Sequence, residues 1–401
     1  MGTTRHNPFR MLRTGIAVFF ILSSLTHLQA QGKLDVDETL DIVEKQLRYR
    51  INSFKDTNAF PRSVKDNALV SVPSRDWTSG FYAGVLWQMY ELTKDDTWAK
   101  SARKWTESLE KEQYNTRTHD LGFMLYCSYG NGLRLAPSRA YEEVLLQGAR
   151  SLATRFRQTT GTIKSWDHGA WEFPVIIDNM MNLELLFWAT KVSGDSAFYQ
   201  IAVTHALTTM KNHFRPDNSS YHVVDYDTVT GKVEGRVTHQ GHADESAWAR
   251  GQAWGLYGFT LTYRETKDKR FLDQAIRIAD FMLKHPNLPA DKVPYWDFNA
   301  PGMPNEERDA SAAAIMASAL LELSQYVENG MRYNDAAAEI LESLASPAYM
   351  ARPGTNHGFI LMHSTGHKPA KSEIDVPIIY ADYYFIEALR RYKNITESGK
   401  K

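Results

Sequence analysis

Three stretches decide the fold: Thr93-Lys-Asp-Asp-Thr-Trp98-Ala-Lys-Ser-Ala102, Ser193-Gly-Asp-Ser-Ala-Phe198-Tyr-Gln-Ile-Ala202 and Thr266-Lys-Asp-Lys-Arg-Phe271-Leu-Asp-Gln-Ala275. Each reads Thr or Ser, any residue, Asp, two residues, an aromatic, three residues, Ala. Asp95, Asp195 and Asp268 have the chemistry of N-caps, whose carboxylates accept the free N–H groups of a first helical turn. The aromatic and the alanine then fall on one face of the helix that follows. Immediately upstream, at 77–92, 179–192 and 246–262, lie helical patterns that are apolar almost all round, as expected of helices buried on both sides. The repeating unit is therefore a buried helix, a short turn and an amphipathic helix.

Extended along the chain, the unit recurs six times. Buried helices are expected to open near Asp76, Asp120, Asp178, Glu245, Asp309 and Asp375. Amphipathic helices are expected over roughly 95–112, 138–157, 195–213, 268–284 and 332–345, and one more at 36–53 comes first in the chain. Six inner and six outer helices predict an all-α fold, a closed (α/α)6 barrel. An open solenoid has the same repeat. Closure is favoured because the helix at 36–53 is the missing outer partner of the last inner one. The segments 221–225 and 231–238 read as a short β-hairpin within a loop.

Composition agrees with one large folded unit. The chain has 401 residues, 43% of them hydrophobic and 23% charged, with a formal net charge of −1. That balance argues against a nucleic-acid partner or a polybasic membrane binder. The single cysteine, Cys127, excludes an internal disulfide and any cysteine-based metal cluster. The 10 Trp, 20 Tyr and 18 Phe fit either a packed core or a surface on which sugars stack. At the N-terminus, Arg5, Arg10 and Arg13 precede an apolar run at 15–25 and the small-residue site at Ala30. This is the pattern of a signal peptide over residues 1–30, leaving 31–401 as a single catalytic domain. Eleven apolar residues are too few to span a bilayer, which takes about 20. The mature protein is expected to be exported, periplasmic or secreted, with no membrane contact after cleavage.

The long loops, 54–75, 158–177, 214–244, 285–308 and 346–374, all lead into inner-helix starts, so they gather at one end of the barrel. Long loops over a rigid scaffold are where sites are built. An Asp at a helix start is ordinarily a cap, and Asp76, Asp309 and Asp375 are read that way. Two starts have unusual neighbours. His119 sets an imidazole beside Asp120, and Asp178 follows the apolar run Phe173-Pro-Val-Ile-Ile. Desolvation there would raise the pKa of Asp178, the helix dipole would lower it, and a charge on Asp120 nearby would raise it again. His239-Gln-Gly-His242-Ala-Asp244 has ligand-type residues but no helical histidine pair, so no metal is expected, and no phosphate loop or dinucleotide fingerprint calls for a cofactor. A carboxylate pair in a cleft lined with Trp is the equipment of a sugar-processing enzyme.

These residues resemble a known family. Arg75-Asp-Trp77-Thr-Ser-Gly-Phe-Tyr, Thr118-His-Asp120-Leu-Gly-Phe, Ile177-Asp178-Asn-Met-Met-Asn, Trp248-Ala-Arg250-Gly-Gln-Ala-Trp254-Gly, Asp309-Ala-Ser-Ala-Ala-Ala and the tail from Lys368 to Tyr384 are similar to glycoside hydrolase family 88, the unsaturated glucuronyl hydrolases. The resemblance runs in order from about residue 70 to 390 and implies an (α/α)6 barrel. It implies a substrate, an oligosaccharide ending in the 4,5-unsaturated uronic acid that lyases leave on glycosaminoglycans or ulvan. It also implies a reaction, hydration of the enol ether. By the same resemblance Asp178 is the general acid/base and Asp120 the second essential carboxylate. Trp77, Trp166, Trp248 and Trp254 would be aromatic walls, with His119, His222, Gln240 and Arg250 as polar contacts to the sugar. The loop from His363 to Lys368 is a candidate contact for the next sugar or its sulfate. Two rivals share much of this pattern: the unsaturated rhamnogalacturonyl hydrolases of family 105, and a uronate lyase on a similar barrel.

Overall fold

The computed structural model describes residues 34–398, residue 57 excepted, so the signal peptide expected at 1–30 lies outside the described residues. In chain order the barrel comprises α1 (Val36–Ser53), α2 (Ser79–Thr93), α3 (Asp96–Glu107), a π-helical stretch Gly122–Gly130 continuing into α4 (Asn131–Leu135), and α5 (Arg139–Ala153). A 3₁₀ turn Ile177–Asn182 then leads into α6 (Leu183–Ser193), followed by α7 (Ser196–Asn212), α8 (Ala249–Thr266), α9 (Lys269–Lys284), α10 (Ala310–Leu323), α11 (Met331–Ala345) and α12 (Ile379–Ser398). The helices led by α2, the π stretch, the 3₁₀ turn, α8, α10 and α12 form the inner ring. The ring closes because α12 packs on α2, and α1 covers α12 from outside. This is an (α/α)6 barrel.

The repeat motif works as its chemistry requires. Asp95, Asp195 and Asp268 each accept the backbone N–H two residues on, at 2.8–3.0 Å. The aromatics Trp98, Phe198 and Phe271 are buried, as are Ala102, Ala202 and Ala275. In α9 the buried face is Phe271, Ala275, Ile278, Ala279 and Met282, a single helical stripe, whereas in α10 every residue but Glu322 is buried. Each large apolar side chain so buried stabilises the fold by about 1.5–3 kcal/mol. Where inner helices touch most closely, glycine is required. A Cβ on Gly122 would lie 2.6 Å from Asn182 Cα, and one on Gly80 would lie 2.2 Å from Met124 O.

The loops hold more strand than the sequence suggests. β1 (Phe60–Lys65) and β2 (Ala68–Val72) pair as an antiparallel hairpin across Asp66 and Asn67, both at positive φ. β3 (Phe156–Arg157) and β4 (Thr162–Ile163) form a minimal ladder. The hairpin expected at 221–238 is present as β6 (Val223–Tyr226) and β7 (Val233–Val237), but a third strand, β5 (Pro174–Ile176), joins it on the β6 side. This sheet has its own small core of Phe173, Val175, Val224 and Tyr226. Pairing of β5 with β6 brings their ends together: Ile177 N donates to His222 O at 3.1 Å, which sets His222 beside Asp178.

Of the three residues read as caps, Asp309 acts as one, accepting Ser311 N and Ala312 N. Asp76 lies three residues before α2, whose cap position is Thr78; its carboxylate accepts Thr78 N within the preceding turn and pairs with Arg62. Asp375 is a correction. It has φ +54° and its Oδ1 is hydrogen-bonded to His363 Nδ1 at 2.6 Å, while α12 starts four residues later at Ile379. The left-handed backbone there precludes a cap, whose φ must be extended.

Candidate active site

The loop-bearing end of the barrel contains a cleft of about 350 Å³. Seven of the ten residues proposed from sequence line it: Trp77, His119, Asp120, Trp166, Asp178, Gln240 and Arg250. They come from four inner-helix starts and two loops, which the barrel converges and the sequence alone scatters.

Asp178 opens the 3₁₀ turn at the floor and is 7% exposed. Burial pushes its carboxyl up to about 7, with Arg250 opposing and Asp120 adding to the rise. Its Oδ2 is buried with no hydrogen-bond partner. His222 Nε2 lies 3.7 Å from this oxygen. His222 is neutral, its pKa depressed by burial, and its Nδ1 accepts both His239 N (3.1 Å) and Gln240 N (3.0 Å). That assigns the ring proton to Nε2, the nitrogen turned to Asp178.

Asp120 is held from two sides. Thr118 Oγ1 donates to its Oδ2 at 2.6 Å, and His119 Nε2 lies 3.2 Å from Oδ1. His119 is itself buried, and burial lowers its pKa. Arg250 is buried and held through both terminal nitrogens, while its Nε has no hydrogen-bond partner. Its Nη1 pairs with Asp309 at 2.9 Å, its Nη2 donates to Gly366 O at 2.6 Å, and Nη1 also donates to Thr365 O. The guanidinium is sandwiched between Trp248 (4.5 Å) and Tyr380 (5.4 Å).

Three proposed contacts are not part of the lining. Trp248 lies under Arg250 and against His222, with ring centroids 4.4 Å apart, so it buttresses both and stays 2% exposed. His222 acts from beneath Asp178. Trp254 is the clearest correction: it is fully buried and packs on Phe123 and Tyr384 below the floor. Trp254 shares a helix face with Arg250 but lies one turn, about 5.4 Å, further along α8, so only the first turn of that helix reaches the cleft.

The aromatic walls are Trp77, packed on Phe123 and Tyr380, and Trp166, stacked on His168 at 5.3 Å. Gln240 is fixed by its Nε2 donating to Gly366 O at 3.0 Å. The loop 363–368 is split in its use. His367 lines the cleft and bonds His239 O at 2.8 Å, but Lys368 is held by Glu306 and Glu307 and lies over Trp296. His239, His242 and Asp244 do not converge: His242 packs on Trp296, while Asp244 accepts Thr238 N.

Sequence reasoning missed Arg62, Arg117, Ser372, Glu373 and Tyr380 as lining residues. Glu373 and Tyr380 stand in the tail motif, so a signal was present. Arg62 had none, because Glu373, which it binds through Nε and Nη2 at 2.6 and 2.8 Å, is 311 residues away.

A second cavity of about 380 Å³ lies at the other end of the inner ring. Its charges close on one another: Arg264 with Glu184 and Glu322, Arg391 with Glu322, and Glu387 with Tyr257 and Ser318. The loop-end cleft, by contrast, holds a carboxyl poised near neutrality with an unsatisfied oxygen. That feature, in a cleft lined by sugar-sized aromatics, makes it the candidate active site.

The sequence and the fold have close counterparts. The model of Glycosyl Hydrolase Family 88 matches residues 53–346. An unsaturated glucuronyl hydrolase of Formosa agariphila is 49% identical over 377 residues, covering 93% of this chain and 94% of that protein. An unsaturated chondroitin disaccharide hydrolase of Streptococcus pneumoniae is 33% identical, covering 90% and 92%. A crystal structure of an unsaturated glucuronyl hydrolase specific for heparin superposes with a TM-score of 0.89 at 50% identity, covering 90% of this chain and 98% of that one.

Proposed function

Because the chain belongs to glycoside hydrolase family 88 and is a glycoside hydrolase, we propose that it releases a terminal 4,5-unsaturated uronic acid from lyase-generated oligosaccharides by hydrating the enol ether. The observation that carries this reading is Asp178, a buried carboxyl with a pKa of about 7 and a partnerless oxygen at the floor of the cleft. A general acid/base works best when its pKa lies near the operating pH.

In this reading protonated Asp178 delivers its proton to C4, and the electrons of the C4=C5 bond form the new C4–H bond. The positive charge that develops at C5 is shared with the ring oxygen. Water adds at C5 and its proton returns to Asp178. The resulting hemiketal opens by cleavage of the C5–ring-oxygen bond. The hemiacetal so exposed at C1 then collapses and releases the leaving sugar. Asp120, oriented by Thr118 with His119 alongside, faces the developing positive charge as a fixed anion. It also disfavours ionisation of Asp178, which keeps the acid loaded. His222, with its proton on Nε2, steadies the Asp178 carboxylate once the proton has left. Arg250, immobilised by Asp309 and its two carbonyl partners, supplies positive potential for the uronate carboxylate.

The substrate is an anionic oligosaccharide of the glycosaminoglycan or ulvan type, met outside the cytoplasm after cleavage near Ala30. N-terminal sequencing of the mature protein tests the export. The chemistry is tested by turning over an unsaturated disaccharide in D2O and reading the product by NMR. Hydration leaves one deuteron on C4 and abolishes the ultraviolet absorbance of the enol ether. A product without deuterium at C4 would refute this mechanism, and a rise in absorbance would indicate a lyase.

A further inference from the structure

The cations of the cleft divide by how they are used. Arg250 is committed to Asp309 and two carbonyls, and Arg62 to Glu373 and Asp76. Lys368, the ammonium of the adjoining loop, is neutralised by Glu306 and Glu307. Arg117 differs: it lines the cleft, is exposed, and its guanidinium has no hydrogen bond, ion pair or ring contact among the described residues.

Its backbone is nevertheless held on both sides. Arg117 N donates to Asn115 Oδ1 at 3.0 Å, and Asn115 Nδ2 is tied to Glu112 at 3.1 Å. Thr116 O accepts Arg155 Nη1 at 2.6 Å, and His119 N donates to Ser165 O at 3.2 Å. Arg155 in turn pairs with Asp167 in the loop that carries Trp166 and His168. A fixed backbone thus presents a free guanidinium at the mouth, while Asp178 and Arg250 occupy the floor at 7% and 1% exposure.

The chemistry of the substrate gives this arrangement a direction. In a 4,5-unsaturated uronate C4 belongs to the double bond and carries no preceding sugar, so the residue is a chain end. The rest of the oligosaccharide leaves from C1, and with the uronate at the floor it must point to the mouth. We propose that Arg117 binds an anionic substituent of the leaving portion, a sulfate ester on the second sugar or the carboxylate of the next uronate, and so determines substrate preference. A guanidinium suits either group, since both present paired oxygens to its planar fork. The inference rests on the hydrolase reading above and adds the class of leaving group.

The test compares kcat/KM for an unsaturated disaccharide with an unsulfated hexosamine, the same disaccharide sulfated on the hexosamine, and an unsulfated unsaturated tetrasaccharide. Wild type, Arg117→Gln, Arg117→Lys and Lys368→Gln are measured in parallel. An exposed charge pair predicts that wild type favours an anion-bearing substrate by about fivefold, and that Arg117→Gln brings this ratio to about one. Arg117→Lys retains part of the preference, and Lys368→Gln retains all of it. The wild-type ratio shrinks between about 20 mM and about 500 mM NaCl, because salt screens exposed charges. Preference for the sulfated disaccharide identifies a sulfate, and preference for the tetrasaccharide alone identifies the carboxylate. A ratio unchanged by Arg117→Gln, or one that follows Lys368, overturns the proposal. Failure of wild type to turn over all three substrates refutes the hydrolase reading itself, and the Arg117 assignment falls with it.

Discussion

Replacing Asp178 with Asn is expected to abolish turnover and, at alkaline pH, to stabilise the fold. Burial raises this carboxyl from the ordinary value of about 4 to about 7. The folded state therefore holds the proton more tightly than the unfolded chain does. This group's contribution to stability is greatest below about pH 4 and is lost as pH rises through about 7. The full difference is about 4 kcal/mol, and about 2.5 kcal/mol of it falls between pH 5 and pH 8. Asn does not ionise, so it escapes that loss. For a domain of this size, with about 0.8 kcal/mol per degree of unfolding entropy, the melting temperature of Asp178→Asn should gain roughly 3 °C on wild type over that interval. The assay is the melting temperature of both proteins at several pH values and constant ionic strength. Asp382, buried with a pKa of about 7 and accepting Ile360 N and Leu361 N, gives a similar slope to both proteins and cancels in the difference. Parallel curves for the two proteins would show that Asp178 is not a desolvated carboxyl, and the mechanism built on it would fail.

The same pKa fixes the pH profile. The first step needs the protonated acid, so kcat/KM should fall about tenfold per pH unit above about 7, and a profile still rising at pH 8 would contradict this role. Asp120→Asn should lower kcat by about 10²–10⁴ with the circular dichroism spectrum unchanged, and near-normal turnover would remove it from the mechanism. Trp254→Phe should cost about 1–3 kcal/mol in denaturant unfolding while KM moves less than about twofold. Trp77→Ala should instead raise KM several-fold, and the reverse pattern would return Trp254 to the cleft wall.

The barrel was legible because it is a repeat: one capped turn, seen three times, sets the period, and each Asp cap acts through bonds two residues long. The β6–β7 hairpin was legible too, but the remaining strands were not, for the opposite reason. β5 is three residues of a continuous apolar run, and nothing local distinguishes its pairing with β6, some fifty residues away. The β1–β2 hairpin did carry a signal, the Asp66-Asn67 pair suited to positive φ, but its strands alternate too weakly to announce themselves. In the cleft, Asp120 and Asp178 stood out through their neighbours in sequence. Arg62 depends on Glu373, and Trp254 was misplaced because reading a helix start does not tell which of its turns sinks below the floor. Asp375 could be excluded as a cap only from its backbone conformation.

The floor itself has a consequence. Phe123 borders both the cleft and the rear cavity, and with Phe81, Trp254, Tyr380 and Tyr384 it makes a wall of tilted and edge-on rings across the barrel axis. The cleft is thus a blind alley, and no polymer can be threaded through it. On the proposed reading such an enzyme counts termini rather than mass. Its throughput on a given weight of polysaccharide scales with the number of ends present, so each additional cut made upstream supplies it with one more place to work, and an intact polymer offers it almost none.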